Sequence, residues 1–215
     1  MEITLTINEK NITRKNGEIF VKIDNAEIKN LLNAKRADEF EVGEVLNFGG
    51  LDWVVLDKNA DGVAVITKEL LKDENGEIIK KAFDNESPNF AKSSLRSWLN
   101  GEFLQRFDIG QILAHTTDLT ADDGLNDFGN CLQKIGLLTC EQYRRFVKTL
   151  DRFPVGSWWW TTTPYAGQNH FSKSTFVRCV CNDGTLGNNS CSSNGGVRPF
   201  CILKSSANVT EGGDK

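Results

Sequence analysis

The sequence predicts an α+β protein with two helices, short antiparallel strands and a small N-terminal β appendage. Three observations predict it. Alternating apolar runs broken by Gly49-Gly50 and Asn59-Ala60-Asp61-Gly62 fill residues 43–67 as a three-strand meander. Two stretches with apolar residues at helical spacing follow, near 94–106 and 140–150. Short strand-like runs then return between Trp158 and Leu203.

Taken in order, Glu2-Ile3-Thr4-Leu5-Thr6-Ile7 alternates and sets Ile3, Leu5 and Ile7 on one face. Asn16-Gly17 is a hairpin signal leading into Ile19-Phe20-Val21-Lys22-Ile23. Residues 26–34 have helical spacing, with Ile28, Leu31 and Leu32 on one side. A hairpin this small is marginal alone. The leading unit, 1–41, therefore either extends the main sheet or serves self-assembly or attachment to a particle.

The main body spans 42–204. Leu51-Asp52-Trp53-Val54-Val55-Leu56 and Val63-Ala64-Val65-Ile66-Thr67 are its clearest strands, and 73–88 is polar and reads as a surface loop. Ser93 is placed to cap a helix carrying Leu95, Trp98, Leu99 and Phe103, with Gly101 as its weak point. Thr139-Cys140-Glu141-Gln142 fits a capping box ahead of Tyr143, Phe146, Val147 and Leu150. Pro154 and Gly156 end that helix. Strands are expected at 158–162, 175–181, 185–188 and 199–203, and a flexible polar tail at 205–215.

Composition narrows the function. Hydrophobic residues make up 39%, charged residues 25%, and the net charge of -4 gives no pull toward nucleic acid. No apolar run reaches the ~18 residues that would insert in a membrane. Met1-Glu2-Ile3-Thr4 lacks a secretory signal, so cytoplasmic synthesis is expected, with the virion or cell surface as destinations reached by lysis or assembly. The six cysteines show no Cys-x-x-Cys zinc spacing and are expected to be reduced. Cys201, inside Phe200-Cys201-Ile202-Leu203, reads as a core residue.

Candidate chemistry is thin. His115 with Cys131 or Cys140 lacks any spacing that pairs a nucleophile with a base, and Cys140 lies in the capping box. Asp118, Asp122, Asp123 and Asp127 form an acidic loop that does not fit the hand-type calcium pattern. Gly49-Gly50 is a turn, without the Gly-Lys of a phosphate loop. Neither a metal nor a cofactor is expected.

The segment 161–194 differs in kind. Of its 34 residues only Lys173, Arg178 and Asp183 are charged, and Ser, Thr, Asn, Gly and Cys dominate around Tyr165, His170, Phe171 and Phe176. Adaptable polar residues between aromatic anchors are the composition of a binding surface, although turn-rich loops also lose charge. Before it, alternation along Trp158-Trp159-Trp160 puts Trp159 on one face and its neighbours on the other.

Several stretches together carry a resemblance: Val42 to Leu56, Ser93-Ser94-Leu95-Arg96-Ser97-Trp98-Leu99-Asn100, Leu137-Leu138-Thr139, Trp158-Trp159-Trp160 and Gly196-Val197-Arg198-Pro199. Over residues 42–204 the chain resembles an uncharacterised bacterial and phage domain family that is similar to the C-type-lectin-like fold of formylglycine-generating enzymes. Its ending, about 158–203, is similar to the variable proteins of diversity-generating retroelements. In those proteins template adenines are mutated, and Asn codons randomise to a set that cannot encode Met, Trp, Lys, Glu or Gln. Here 161–194 holds two such residues, Gln168 and Lys173, against 39 in the other 181 positions, a depletion in the direction that mechanism implies.

The resemblance implies a ligand-binding, non-catalytic protein with a displayed, diversified C-terminal surface, directed at a protein or cell-surface ligand. The outward positions expected to carry it are Thr161, Thr163, Tyr165, Asn169, His170, Phe171, Arg178, Cys181, Asn188, Cys191 and Asn194, with Arg198 as a structural anchor. Two alternatives stand beside it, an enzyme of the formylglycine-generating type and a structural module of a particle. No motif here maps onto the copper site of those enzymes.

Overall fold

The computed structural model describes residues 12–15, 18–21, 33–60, 62–169 and 174–213. The chain forms two compact units, Met1–Ala34 and Lys35–Lys215. In the first, Ile12–Lys15 (β1) pairs antiparallel with Glu18–Val21 (β2), Lys15 opposite Glu18. The turn residues themselves, the Ile3-to-Ile7 alternation and residues 26–32 of the expected helix lie outside the described residues.

The second unit is α+β, with two α-helices and mostly antiparallel strands. It begins at Lys35–Arg36 (β3), so residues 35–41, assigned from sequence to the leading unit, belong here. Val45–Phe48 (β4), Leu51–Lys58 (β5) and Gly62–Thr67 (β6) form the expected meander. Gly49 and Gly50 turn the first corner at φ 61° and 77°, a region that disfavours side chains. A Cβ on Gly49 would also stand 2.3 Å from the Phe107 ring.

Lys80–Ala82 (β7) interrupts the stretch read as a surface loop. Its lysines hid it: β7 is an edge strand, where charge is tolerated, and Lys81 Nζ sits 4.3 Å over the Trp98 ring. Ser94–Trp98 (α1) follows, capped by Ser93, whose hydroxyl accepts from Arg96 N. The helix expected to run to 106 is regular only that far. It widens to a π-turn over Leu99–Phe103, around Gly101, and tightens to a 3-10 turn over Leu104–Arg106. Then come Ile112–Leu113 (β8), His115–Asp118 (β9), Asn130–Gln133 (β10) and Ile135–Gly136 (β11). Cys140–Leu150 (α2) carries the predicted capping box: Gln142 N donates to Thr139 Oγ1 at 3.0 Å, and Thr139 N to Gln142 Oε1 at 2.9 Å.

Trp159–Pro164 (β12), Phe176–Val180 (β13), Leu186–Ser190 (β14), Asn194–Gly196 (β15) and Phe200–Lys204 (β16) follow. The expected flexible tail instead forms Asn208–Glu211 (β17), which inserts between β4 and β3. Its alternation explains this: Ala207 and Val209 are buried while Asn208 between them faces solvent. A short polar strand with one apolar residue reads as a tail until its sheet partner is known.

Eight strands make the main sheet, in the path β11-β16-β6-β5-β4-β17-β3 with β8 beside β16. Five make the second, β14-β13-β12-β15-β7, antiparallel except where β12 runs parallel to β15. One apolar core joins Trp53, Phe83, Phe90, Phe103, Phe107, Val177 and Trp160. Another packs α2, through Tyr143, Phe146 and Leu150, on Val54, Leu56, Ile66, Trp159 and Phe200.

The tryptophan run obeys the predicted alternation. Trp159 meets Tyr143 edge-on in the α2 core, and Trp160 meets Phe83 edge-on in the other, with Trp158 on Trp160's side at 4.9 Å. Gly195 completes the fit: a Cβ there would lie 2.4 Å from Trp158 Cζ3 and 2.7 Å from Trp160 Nε1. The Gly-Gly that closes the segment is shaped by the tryptophans that open it.

His115 is not a poised base. Its ring packs edge-on to Phe200 at 5.4 Å, and neither nitrogen makes a well-aligned hydrogen bond among the described residues, the Leu113 backbone being near it. Burial lowers its pKa from 6.5 to about 4, opposed only in part by the Leu113 backbone. Because the unfolded imidazole titrates near 6.5 and the folded one near 4, the unfolded state binds more protons between those values. Stability contributed by the neutral ring is therefore full above pH 6.5 and lost as pH falls toward 4, by about 3 kcal/mol. Urea unfolding at pH 7.5 and 4.5 should show that drop in the wild type and a much flatter dependence in His115→Leu.

Candidate functional site

Three β-strands and one loop build the candidate binding surface. Antiparallel register sets Phe176 opposite Ser190, Arg178 opposite Asn188 and Val180 opposite Leu186. These pairs share one face of the sheet. The other face carries Val177 and Cys179 into the core. Toward one end of β13 the shared face is covered by α2, which buries Val180 with Trp159 and Tyr143. Toward the other end it is open, and Phe176 is 43% exposed.

Tyr165 stands at that open end, 45% exposed, with its backbone N–H donating to Phe176 O at 3.0 Å. Arg178 lies between Tyr165 and Asn188: its Cζ is 6.0 Å from the Tyr165 ring, and its Nε is 3.5 Å from Asp122 Oδ2. Arg144 of α2 approaches the same carboxylate at 3.4 Å. The Arg178 side chain is only 14% exposed and its Nε makes no hydrogen bond among the described residues, so Asp122 orients it by charge.

The acidic loop has a structural job at this site. Asp122 N donates to Pro164 O at 2.9 Å. Asp123 Oδ2 accepts from Gly167 N at 2.9 Å, Asp127 Oδ2 from Asn169 N at 2.8 Å, and Asp127 Oδ1 from Asn169 Nδ2 at 2.9 Å. These carboxylates hold the segment after β12 by its backbone. Leu125, 38% exposed, packs against Gly167, where a Cβ would fall 2.5 Å from its own. Among the described residues, no three of His, Cys, Asp and Glu gather as metal ligands would. Leu125, Tyr165 and Phe176 thus concentrate exposed apolar area on one lip beside polar strands, the anchor-and-rim pattern of a recognition surface.

The structure sorts the predicted surface residues. Tyr165, Asn169 and Asn188 are exposed, and Arg178 is half-buried between them. Asn194 is exposed on β15, which lies across β12 from β13. Cys181 is half-buried at the opposite end of β13. His170 and Phe171 lie outside the described residues.

Three predictions of outward orientation are corrected. Thr161 is 0% exposed and Thr163 6%. They share the Trp159 face, but the start of α2 covers it: Cys140 N donates to Thr163 Oγ1 at 2.9 Å, and Thr161 Oγ1 donates to Arg178 O at 2.7 Å. The Thr163 hydroxyl satisfies a helix-start N–H that would otherwise lack a partner. Cys191 is 1% exposed, because the turn at Ser190–Ser193 folds it into the core while its carbonyl accepts from Phe83 N and Asp84 N. Phe176 and Ser190 are the surface residues that sequence reasoning left out. Phe176 has the same parity as Arg178 on one strand, which is the signal that would have found it.

Arg198, expected as an anchor, is one. It is 2% exposed, donating through Nε to Thr67 O at 3.0 Å and through Nη2 to Lys68 O at 2.9 Å and Phe153 O at 3.3 Å.

With this geometry in view, the comparisons with known proteins are brief. Residues 138–205 match a domain of unknown function, DUF6273. The matched stretch runs from the α2 cap through every strand of the candidate surface to the end of β16. No curated protein and no solved structure matches the chain.

Proposed function

We propose that this chain is a ligand-binding protein with a C-type-lectin-like domain, displaying a diversified surface at its C-terminal end, in a phage, prophage or bacterial setting. It acts by binding without chemistry. The observation that carries the reading is the open end of the β12–β13–β14 face. Tyr165, Phe176 and Asn188 form its exposed part, with Arg178 and Ser190 half-buried among them, over a floor of buried Trp160, Val177 and Cys179. A rigid floor with changeable residues above it is what a diversified binder needs, since each new surface must not cost the fold. The charge depletion of 161–194 and the resemblance to retroelement variable proteins support the same reading. The partner class is a protein or cell-surface ligand met by aromatic anchors and polar strands.

Randomising Tyr165, Phe176, Arg178, Asn188 and Ser190 together should leave most members of a library folded, with melting temperatures within about 5 °C of the parent. The same treatment of Thr161, Thr163 and Cys191 should leave few folded members. Thermal melts of picked clones check this; a first library as damaged as the second sinks the proposal.

A further inference from the structure

At the far end of β13 from that surface lies a half-open pocket of about 240 Å³, lined by the end of α2, residues 153–155 and the turn 181–184. Its walls mix apolar side chains, Phe153, Val155, Trp159 and Val180, with polar ones, Asp151, Asn182 and Asp183, and Arg198 is the cation among the lining residues. Nε and Nη2 of that guanidinium are engaged by three backbone carbonyls, while Nη1 has no hydrogen-bond partner among the described residues. None of the described carboxylates forms an ion pair with it either.

Carbonyl dipoles satisfy donors but do not neutralise a charge, and a buried cation without a counter-ion is costly. The Trp159 ring, 5.4 Å from Cζ, offsets part of that cost. Burial lowers the Arg198 pKa only to about 10, so the group is cationic at neutral pH. A charged fork with one free edge, lining a half-open pocket with one apolar wall, can take an anion.

We infer that this pocket binds a small monocarboxylate with a short apolar body, its carboxylate paired with the Nη1 edge of Arg198. Two carboxylates at the rim oppose any added negative charge, and a dianion more than a monoanion. Asp151 and Asp183 both line it, and Asp183 is held in place by Thr185 N at 3.0 Å and Thr185 Oγ1 at 2.7 Å. This site is separate from the displayed surface and stands whether or not that surface is diversified.

The test is an NMR titration of the full chain, following the Trp159 indole N–H and the Arg198 Nε–H. Sodium isobutyrate, neutral isobutyramide and sodium sulfate are compared at matched ionic strength. Isobutyrate should give saturable shifts with a Kd on the order of 1 mM, as a ligand this small permits. The amide and sulfate should bind at least about tenfold more weakly. Val155→Trp and the exposed Asn182→Trp each fill the mouth without touching the guanidinium, and each should weaken isobutyrate at least about tenfold. Linear, unsaturable shifts, equal responses to acid and amide or to sulfate, or unchanged affinity in a folded mouth variant would each overturn the inference.

Discussion

Arg198→Ala is expected to lower the free energy of unfolding by about 4 kcal/mol. The side chain ties three otherwise separate backbone points to the Gly-Val-Arg-Pro close: Thr67 and Lys68 after β6, and Phe153 after α2. Truncation leaves those carbonyls without their donor in a site where Arg198 itself is 2% exposed, and opens a hole beside Trp159. Loss of the charge returns some of that, since the buried guanidinium has no ion-pair partner and its desolvation is no longer borne. Arg198→Lys separates the contributions. It keeps a charge but offers a compact ammonium in place of a planar fork, and should cost about 2 kcal/mol. Chemical denaturation of the three proteins at pH 7 gives both values. A loss under 1 kcal/mol for the alanine variant would mean that the anchor is dispensable.

Trp160→Ala should cost about as much, about 4 kcal/mol, for a different reason. Trp160 is 0% exposed, edge-on to Phe83 at 5.7 Å, with Nε1 donating to Lys81 O at 3.0 Å. It is the floor beneath the displayed strands and the fastening of edge strand β7. Trp160→Phe keeps most of the ring contact but leaves the Lys81 carbonyl unpaired, and should cost about 1.5 kcal/mol. Denaturant midpoints check both, and near-ultraviolet circular dichroism should show the loss of the paired Trp158–Trp160 environment.

Much of this is legible in the sequence. The meander, the Thr139 capping box and the Trp158-Trp159-Trp160 alternation follow from period, cap and spacing, and the Arg198 anchor from the family resemblance. The first three rest on local rules that the tertiary structure did not override. What escaped is what depends on a distant partner. β17 looked like a tail because Val209 is its one strong apolar signal, and only its place between β4 and β3 makes it a strand. β7 looked like a loop because its lysines are compatible with an edge. Thr161 and Thr163 are expected to point outward, but no periodicity says that the start of α2 will cover them. Phe176 was missed although its strand parity with Arg178 was readable. The acidic loop resisted motif logic because its carboxylates serve the backbone of Gly167 and Asn169, a role that no spacing rule encodes.

The central claim is that the open end of the β12–β13–β14 face is diversified for binding. Sequencing the DNA beside this gene tests it most directly. The account predicts a reverse transcriptase gene and a near-identical repeat of the 3′ coding end that differs only at adenines. Those differences should fall in the codons of Tyr165, Phe176, Arg178, Asn188, Ser190 and Asn194 and spare those of Trp159, Trp160, Val177, Gly195 and Arg198. No repeat, or a repeat whose differences fall as often on the buried codons as on the exposed ones, would contradict it.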